Sequence, residues 1–168
     1  MAADAPPALP ARRLWRMAAK VLHELASIGF GGGLAACLFI NGLGDRGTPE
    51  TFATAREAFA AIANYLLVPS MAVVVVSGLL AIAATRGYMD AGWAWLKALL
   101  GITVFEATLM VVGSGGRHAE MLAAFTADPV ALQALLRSER NTLWLLIALS
   151  AINVVLAVWR PRLTWRVR

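Results

Sequence analysis

Four ionisable residues lie inside long apolar runs of this sequence, where a charged side chain is costly and usually serves a function. They are His23, Glu24, Lys97 and Glu106. A neutral imidazole can ligate a metal or transfer a proton. A lysine ammonium can pair with carboxylates, such as the propionates of a porphyrin. Which of the four residues can share one site depends on the helices that carry them.

The apolar runs identify those helices. The 168 residues are 60% hydrophobic and 15% charged, with a mean hydropathy of +0.68, whereas an average soluble domain is about 45–50% apolar and about 25% charged. Because about 20 apolar residues cross the hydrocarbon core of a bilayer, we expect four membrane-spanning helices in one membrane domain, residues 1–168. The composition excludes a disordered chain and an ordinary soluble domain. The predicted spans are residues 21–41, 61–84, 93–113 and 143–160.

The lysine and arginine residues predict the orientation. The two terminal segments and the loop 85–92 hold nine of them, whereas the two opposite loops hold five: Arg46, Arg56, Arg117, Arg137 and Arg140. By the positive-inside rule, both termini lie in the cytoplasm, and the expected location is the bacterial inner membrane. Because the basic residues flank apolar spans, the net charge of +5 indicates contact with anionic lipid and not with nucleic acid.

The predicted fold is therefore all-α, an integral membrane four-helix bundle with short amphipathic helices in its outer loops. Thr48-Pro49-Glu50 predicts a helix start that runs on into the second span. Pro69 removes a backbone donor inside that span and predicts a kink. Asp128-Pro129 predicts the start of a short helix in the second outer loop.

His23 and Lys97 lie at matched depth in this arrangement, each within about two helical turns of the cytoplasmic face. They can form one site, although Lys97 could instead extend to the interface and His23 could be a hydrogen-bonded packing residue. His118, the other histidine, follows Lys97 by 21 residues, roughly 31 Å of helix. It therefore lies across the membrane, and a haem ligated by both histidines is not expected.

The remaining candidates have structural alternatives. Glu106 lies on the opposite side of its helix from Lys97, where it bonds another helix or faces a partner subunit. Glu24 can pair with Lys20 one turn earlier. Gly29 and Gly33 form a GxxxG pair, which permits close approach either of another helix or of a flat macrocycle.

Short motifs in all four spans are similar to those of a known superfamily. They are Lys20-Val21-Leu22-His23 with the Gly29–Gly33 stretch, Val68-Pro69-Ser70-Met71 with Gly78, Gly92-Trp93 with Lys97, and Arg140-Asn141 with Trp159-Arg160-Pro161. Together they resemble the HemJ-type membrane protoporphyrinogen IX oxidases and the CopD-like domains. Asn141 is followed by Thr142-Leu143 where the oxidases have N-E-x-P, so the chain looks more like an uncharacterised relative than an oxidase.

The resemblance implies a haem- or porphyrin-binding protein. His23 would be the metal ligand to haem b, Lys97 would lie near the propionates and act in any catalysis, and Gly29 and Gly33 would line the cofactor. An enzyme would be a protoporphyrinogen-oxidase-like oxidoreductase, exchanging electrons with quinone or porphyrin. Phe30, Trp93 and Trp95 are the candidate aromatic contacts.

Two other hypotheses stay open. The chain could be a non-catalytic accessory subunit, joined to a membrane partner or to a second copy through Glu106 and its small-residue faces. Copper handling, by analogy with the CopD-like domains, would use the soft ligands Cys37, Met17, Met71 and Met110, although their spacing is not that of a site.

Overall fold

The computed structural model describes residues 11–44, 47–112 and 115–159, and nearly all of these residues are helical. The helices are α1 (Ala11–Gly42), α2 (Pro49–Ile62), α3 (Val68–Ala83), α4 (Arg86–Met89), α5 (Gly92–Val112), α6 (Gly115–Ala127) and α7 (Pro129–Trp159). A π-helical turn, Ala63–Leu67, joins α2 to α3. The predicted all-α class is confirmed for this part of the chain. Arg46 and the C-terminal basic residues from Arg160 onward lie outside it.

Four helical segments are long and apolar enough to cross a membrane, and they contain the four predicted spans up to residue 83 in the second, residue 111 in the third and residue 159 in the fourth. They are residues 13–42, 49–83, 92–111 and 129–159. Side by side they form a bundle in the cyclic order α1, α3, α5, α7, since each of these helices packs against the next and α7 packs against α1. We call the end near residues 11–20, 84–92 and 159 the terminal end, and the opposite end the loop end.

Helix α2 starts at the predicted position, and the structure adds a capping box there. The Thr51 N–H donates to the Thr48 hydroxyl at 3.3 Å, and the Thr48 N–H donates to the Thr51 hydroxyl at 2.9 Å. Pro49 fills the first helical turn, where its missing N–H costs no hydrogen bond. The helix then continues through residue 83, which confirms that this loop-end helix and the second span form one rod.

The effect of Pro69 is a local widening of that rod. Proline cannot donate to the carbonyl four residues earlier, and the π-helical turn lies immediately before it. Within this turn the Val68 N–H bonds to the Ala63 carbonyl, five residues back. Next to Pro69, where we predicted a kink, the chain therefore has a π-helical turn inside a continuous helix.

The predicted start of α7 is confirmed, whereas its predicted length is wrong. The Asp128 carboxylate accepts hydrogen bonds from the N–H groups of Val130 and Ala131, both at 3.0 Å, and so caps the helix. We expected a short helix here, separate from the fourth span. Instead α7 runs for 31 residues to Trp159, because residues 130–142 contain no glycine or proline to end it.

The buried residues form two cores. The larger lies between the spans and includes Phe30, Leu34, Leu67, Leu143 and Leu146. The smaller lies at the loop end and consists of Phe52, Met121, Ala124, Leu132 and Leu136. Phe52 stacks on Phe125 in this second core, with ring centroids 4.5 Å apart. We call the unit formed by α2, α6 and residues 129–140 of α7 the loop-end cap.

Candidate functional site

The His23 imidazole bonds to a serine on the neighbouring span. His23 on α1 and Ser77 on α3 are both half-buried, and His23 Nδ1 lies 2.7 Å from Ser77 Oγ. The Ser77 hydroxyl in turn donates to the Val73 carbonyl at 2.5 Å. A hydroxyl has one proton, so when Ser77 Oγ–H donates to the Val73 carbonyl, the Nδ1–H of His23 is the donor toward Ser77 Oγ. In this tautomer of the neutral ring Nε2 is unprotonated, which is the state that ligates a metal.

Gly78 lies beside the same imidazole. A Cβ atom built on Gly78 would lie 4.0 Å from His23 Cε1, the ring carbon between the two nitrogens. A glycine here removes side-chain bulk from the edge of the ring. The position follows Ser77 directly, so one short stretch of α3 both orients the imidazole and leaves space next to it.

Lys97 lies near this group on a third helix. It is half-buried on α5 and close enough for its charge to act on the His23 imidazole. The two residues that the depth comparison paired therefore lie at the same end of the bundle, and their joint site stays a prediction. Glu24 is exposed and also interacts electrostatically with His23. We call His23, Ser77, Gly78 and Lys97 the terminal-end site.

Gly29 and Gly33 pack against the second span. A Cβ on Gly29 would lie 3.0 Å from Ser70 Oγ, and one on Gly33 would lie 2.7 Å from Leu67 Cδ2. These contacts favour the helix-packing interpretation of the GxxxG pair. Gly31 and Gly32 differ, since both are exposed and nothing lies within 4 Å of a Cβ built on either. Their backbone is the glycine surface of α1 that a ligand could approach.

The candidate aromatic residues are placed in three different ways. Phe30 is 5% exposed and belongs to the bundle core. The Trp93 ring meets Tyr88 edge-on, with centroids 5.6 Å apart. Trp95 is exposed and donates from Nε1 to the Met89 carbonyl at 2.9 Å. Of the three, only the two tryptophans lie at the terminal end, on the helix that carries Lys97.

The other candidates do not join the terminal-end site. His118 lines a cavity at the loop end, and Glu106 is exposed on α5. Among the described residues no three His, Cys, Asp or Glu side chains are grouped as metal ligands. Cys37 is fully buried in the bundle core with Met71, whereas Met17 and Met110 are exposed, so the four soft ligands do not form one copper site.

A buried polar cluster at the loop end was missed by the sequence analysis, which treated Arg56 as a surface charge of an outer loop. Arg56 forms a two-pronged ion pair with Glu139, with N–O distances of 2.8 and 2.7 Å. Both side chains are about 5% exposed. Asn41 donates to Glu139 at 2.8 Å and to the Leu136 carbonyl at 3.1 Å. The Arg56 guanidinium also lies 4.4 Å from the centroid of Phe59.

Helical spacing could have revealed this cluster. Phe52, Arg56, Phe59 and Ala63 recur every three or four residues and are all buried on one face of the α2 rod. Glu139 belongs to a similar buried series on α7: Leu132, Leu136, Glu139, Leu143 and Leu146. A charged residue within such an apolar series signals a buried pair, because a lone buried charge is strongly unfavourable. We call Asn41, Arg56 and Glu139 the loop-end cluster.

Comparison with known proteins adds no assignment: no family model, no curated protein and no solved structure matches the chain. The resemblance to the HemJ-type and CopD-like proteins therefore remains a prediction drawn from short motifs.

Proposed function

We propose that this chain binds haem b or a related porphyrin at the terminal-end site, in a redox or electron-transfer role. The observation that carries the proposal is the His23–Ser77–Val73 hydrogen-bond chain, because an imidazole that donates its Nδ1–H to Ser77 has Nε2 available to ligate a metal. Hydrogen bonds of this kind orient metal-binding histidines and strengthen their basicity.

The donor set of the site fits such a group with a single protein ligand. His23 would supply the nitrogen ligand, Lys97 would supply a cation for the propionate carboxylates, and Gly78 keeps side-chain bulk away from the edge of the imidazole. Haem, when bound, supplies one-electron redox chemistry. In an oxidase reaction Lys97 is the residue that would bind or orient the porphyrin substrate, and quinone is a candidate electron acceptor.

The position of the site follows from the proposed orientation of the chain. With both termini in the cytoplasm of a bacterial cell, the terminal-end site lies near the cytoplasmic face of the inner membrane. Basic residues at this end, such as Arg13, Arg16 and Lys20, are exposed on the first turns of α1. They are suited to contact anionic lipid headgroups.

The test is an absorption spectrum of the purified protein, with metal analysis of the same sample. We expect a Soret band in the wild type, its loss in His23→Ala, and its retention in His118→Ala. His118 is the matched control because it is the only other histidine and lies at the loop end. A wild type with no Soret band after haem is supplied, or a band unchanged in His23→Ala, would contradict the proposal.

A second candidate function is an accessory subunit of a larger membrane complex, and the placement of Glu106 favours it. Its side chain is exposed on α5, next to the exposed residues Thr103 and Met110. A carboxyl group that faces lipid is costly, so a helix of a partner or of a second copy is its expected contact. In this case Glu106→Ala should abolish co-purification of the partner and leave any pigment unchanged, whereas Glu50→Ala, at the exposed start of α2, should alter neither. Purification of the wild type as a partner-free monomer would exclude this function.

A further inference from the structure

A cavity at the loop end of the protein lies outside the terminal-end site. Its volume is about 440 Å³, within the roughly 300–1,000 Å³ of small-molecule sites. Residues of the α2 rod form one wall, and Val111 and His118 form part of another. Arg56 and Glu139 of the loop-end cluster also line it.

The cavity lies at the depth where hydrocarbon gives way to headgroups. Helix α5 has 21 residues, which at 1.5 Å each is about the 30 Å thickness of the hydrocarbon core. Val111 is at one end of this helix and lines the cavity. An occupant at this level therefore meets both polar headgroups and the ends of acyl chains.

The shape of the cavity comes from small side chains and from the irregular turn. Ala60, Ala61 and Ala63 line it, together with Asn64 and Tyr65 of the π-helical turn. Turns of this kind often occur at functional sites. The Asn64 amide nitrogen donates to the Ala60 carbonyl at 2.8 Å, so the acceptor Oδ1 is the part of this side chain left for other groups.

The charges of the lining favour a cation. Glu57 and Glu139 carry two negative charges against the single positive charge of Arg56, and Arg56 is already paired with Glu139. The Glu57 carboxylate, which is exposed, therefore supplies the net charge of the lining when His118 is neutral. The Glu57 carboxylate and the Asn64 Oδ1 lie on one helical face and are both hydrogen-bond acceptors.

The lining also contains a hydrogen-bond donor. His118 is half-buried in the wall. A ligand that combines an ammonium group with oxygen acceptors, such as a phosphate or an ester carbonyl, would match the acceptors Glu57 and Asn64 and the donor His118.

We propose that this cavity binds the headgroup of a bilayer phospholipid that carries a primary ammonium group. A primary ammonium has three N–H donors for carboxylate and amide oxygens, whereas quaternary ammonium groups are held by aromatic cages. The aromatic face of Phe59 is already covered by Arg56, so no such cage is available from it. An anionic headgroup without an amine would place its negative charge beside that of Glu57, with no positive charge of its own to balance the repulsion.

The experiment compares phosphatidylethanolamine with phosphatidylcholine of identical acyl chains, added to the full chain and counted by native mass spectrometry. We expect about tenfold more retained phosphatidylethanolamine, the effect of one added charge-assisted contact. Glu57→Gln should remove this preference, and Glu50→Gln, on the same helix outside the cavity, should keep it. Equal retention of the two lipids, or an unchanged preference in Glu57→Gln, would overturn the proposal.

A second pair of variants tests the cavity by its volume. Ala61→Leu adds bulk to the wall, while Ala58→Leu adds the same bulk to an exposed position outside it. We expect only Ala61→Leu to lower the retained lipid. Glycerophosphoethanolamine, which has the same headgroup without acyl chains, separates a lipid from a soluble ligand. If it displaces the lipid at equal concentration, the assignment to a bilayer lipid is wrong.

Discussion

In the proposed haem site, the orientation of the His23 imidazole depends on one hydrogen bond to another helix. Without the Ser77 hydroxyl, the imidazole loses its partner at Nδ1. We predict that Ser77→Ala lowers haem affinity about 10- to 100-fold, the usual effect of removing a second-shell partner. Haem titration followed at the Soret band measures this, with Ser138→Ala, an exposed serine of α7, as the control. Wild-type affinity in Ser77→Ala would show that Ser77 has no part in ligation.

The loop-end cluster makes a prediction about stability. Glu139→Ala should lower the free energy of unfolding by about 3–5 kcal/mol, because it leaves the Arg56 charge buried without its partner. The double variant Arg56→Met with Glu139→Leu should recover most of this loss, since no charge then remains buried. Denaturant unfolding in detergent, followed by helical circular dichroism, measures both. Arg140→Met, an exposed neighbour, should change the free energy by less than about 0.5 kcal/mol. If the double variant is as unstable as the single one, the loss has a cause other than the unpaired charge.

At the scale of the helix, the residue at which a helix starts was easier to predict than how far the helix continues. The cap of α2 depends on residues that are neighbours in sequence, Thr48 to Thr51, and was predicted. The absence of glycine and proline from residues 130–142 permits α7 to continue past residue 140, but the packing of its buried face against two cores is not visible in local signals. The same limit applies to the site: depth along the chain paired His23 with Lys97, but the contact with Ser77 depends on how α1 and α3 are rotated against each other.

The packing of α1 on the second span predicts opposite effects for two adjacent glycines. Gly33→Leu should destabilise the bundle by about 1–3 kcal/mol, because a Cβ there already lies 2.7 Å from Leu67. Gly32→Leu should be neutral or slightly stabilising, because the position is open and leucine favours the helix. Thermal unfolding of the two variants in the same detergent compares them. Equal destabilisation would mean that the close approach at Gly33 is not what makes glycine necessary.

For the whole molecule, the burial of Arg56 in the loop-end cluster changes the count of lysine and arginine residues from which the orientation was predicted. Arg56 is buried and paired, so it is not a free loop cation, and the count for the outer loops falls from five to four against nine. The positive-inside bias is therefore stronger than the sequence alone indicated. It remains a statistical argument, whereas chemical labelling can place each end of the bundle directly.

We predict that the loop end faces away from the cytoplasm. In a Cys37→Ala background, which removes the only cysteine, Ser138→Cys should react with a membrane-impermeant maleimide on intact cells. Asp90→Cys, exposed at the terminal end, should react only after permeabilisation. The two positions are matched because both are exposed and close to the ends of spans. The reverse pattern would place His23 and Lys97 near the outer face. The terminal-end site would then receive haem and electrons from outside the cell membrane, and the cavity that contains Glu57 would meet the inner leaflet.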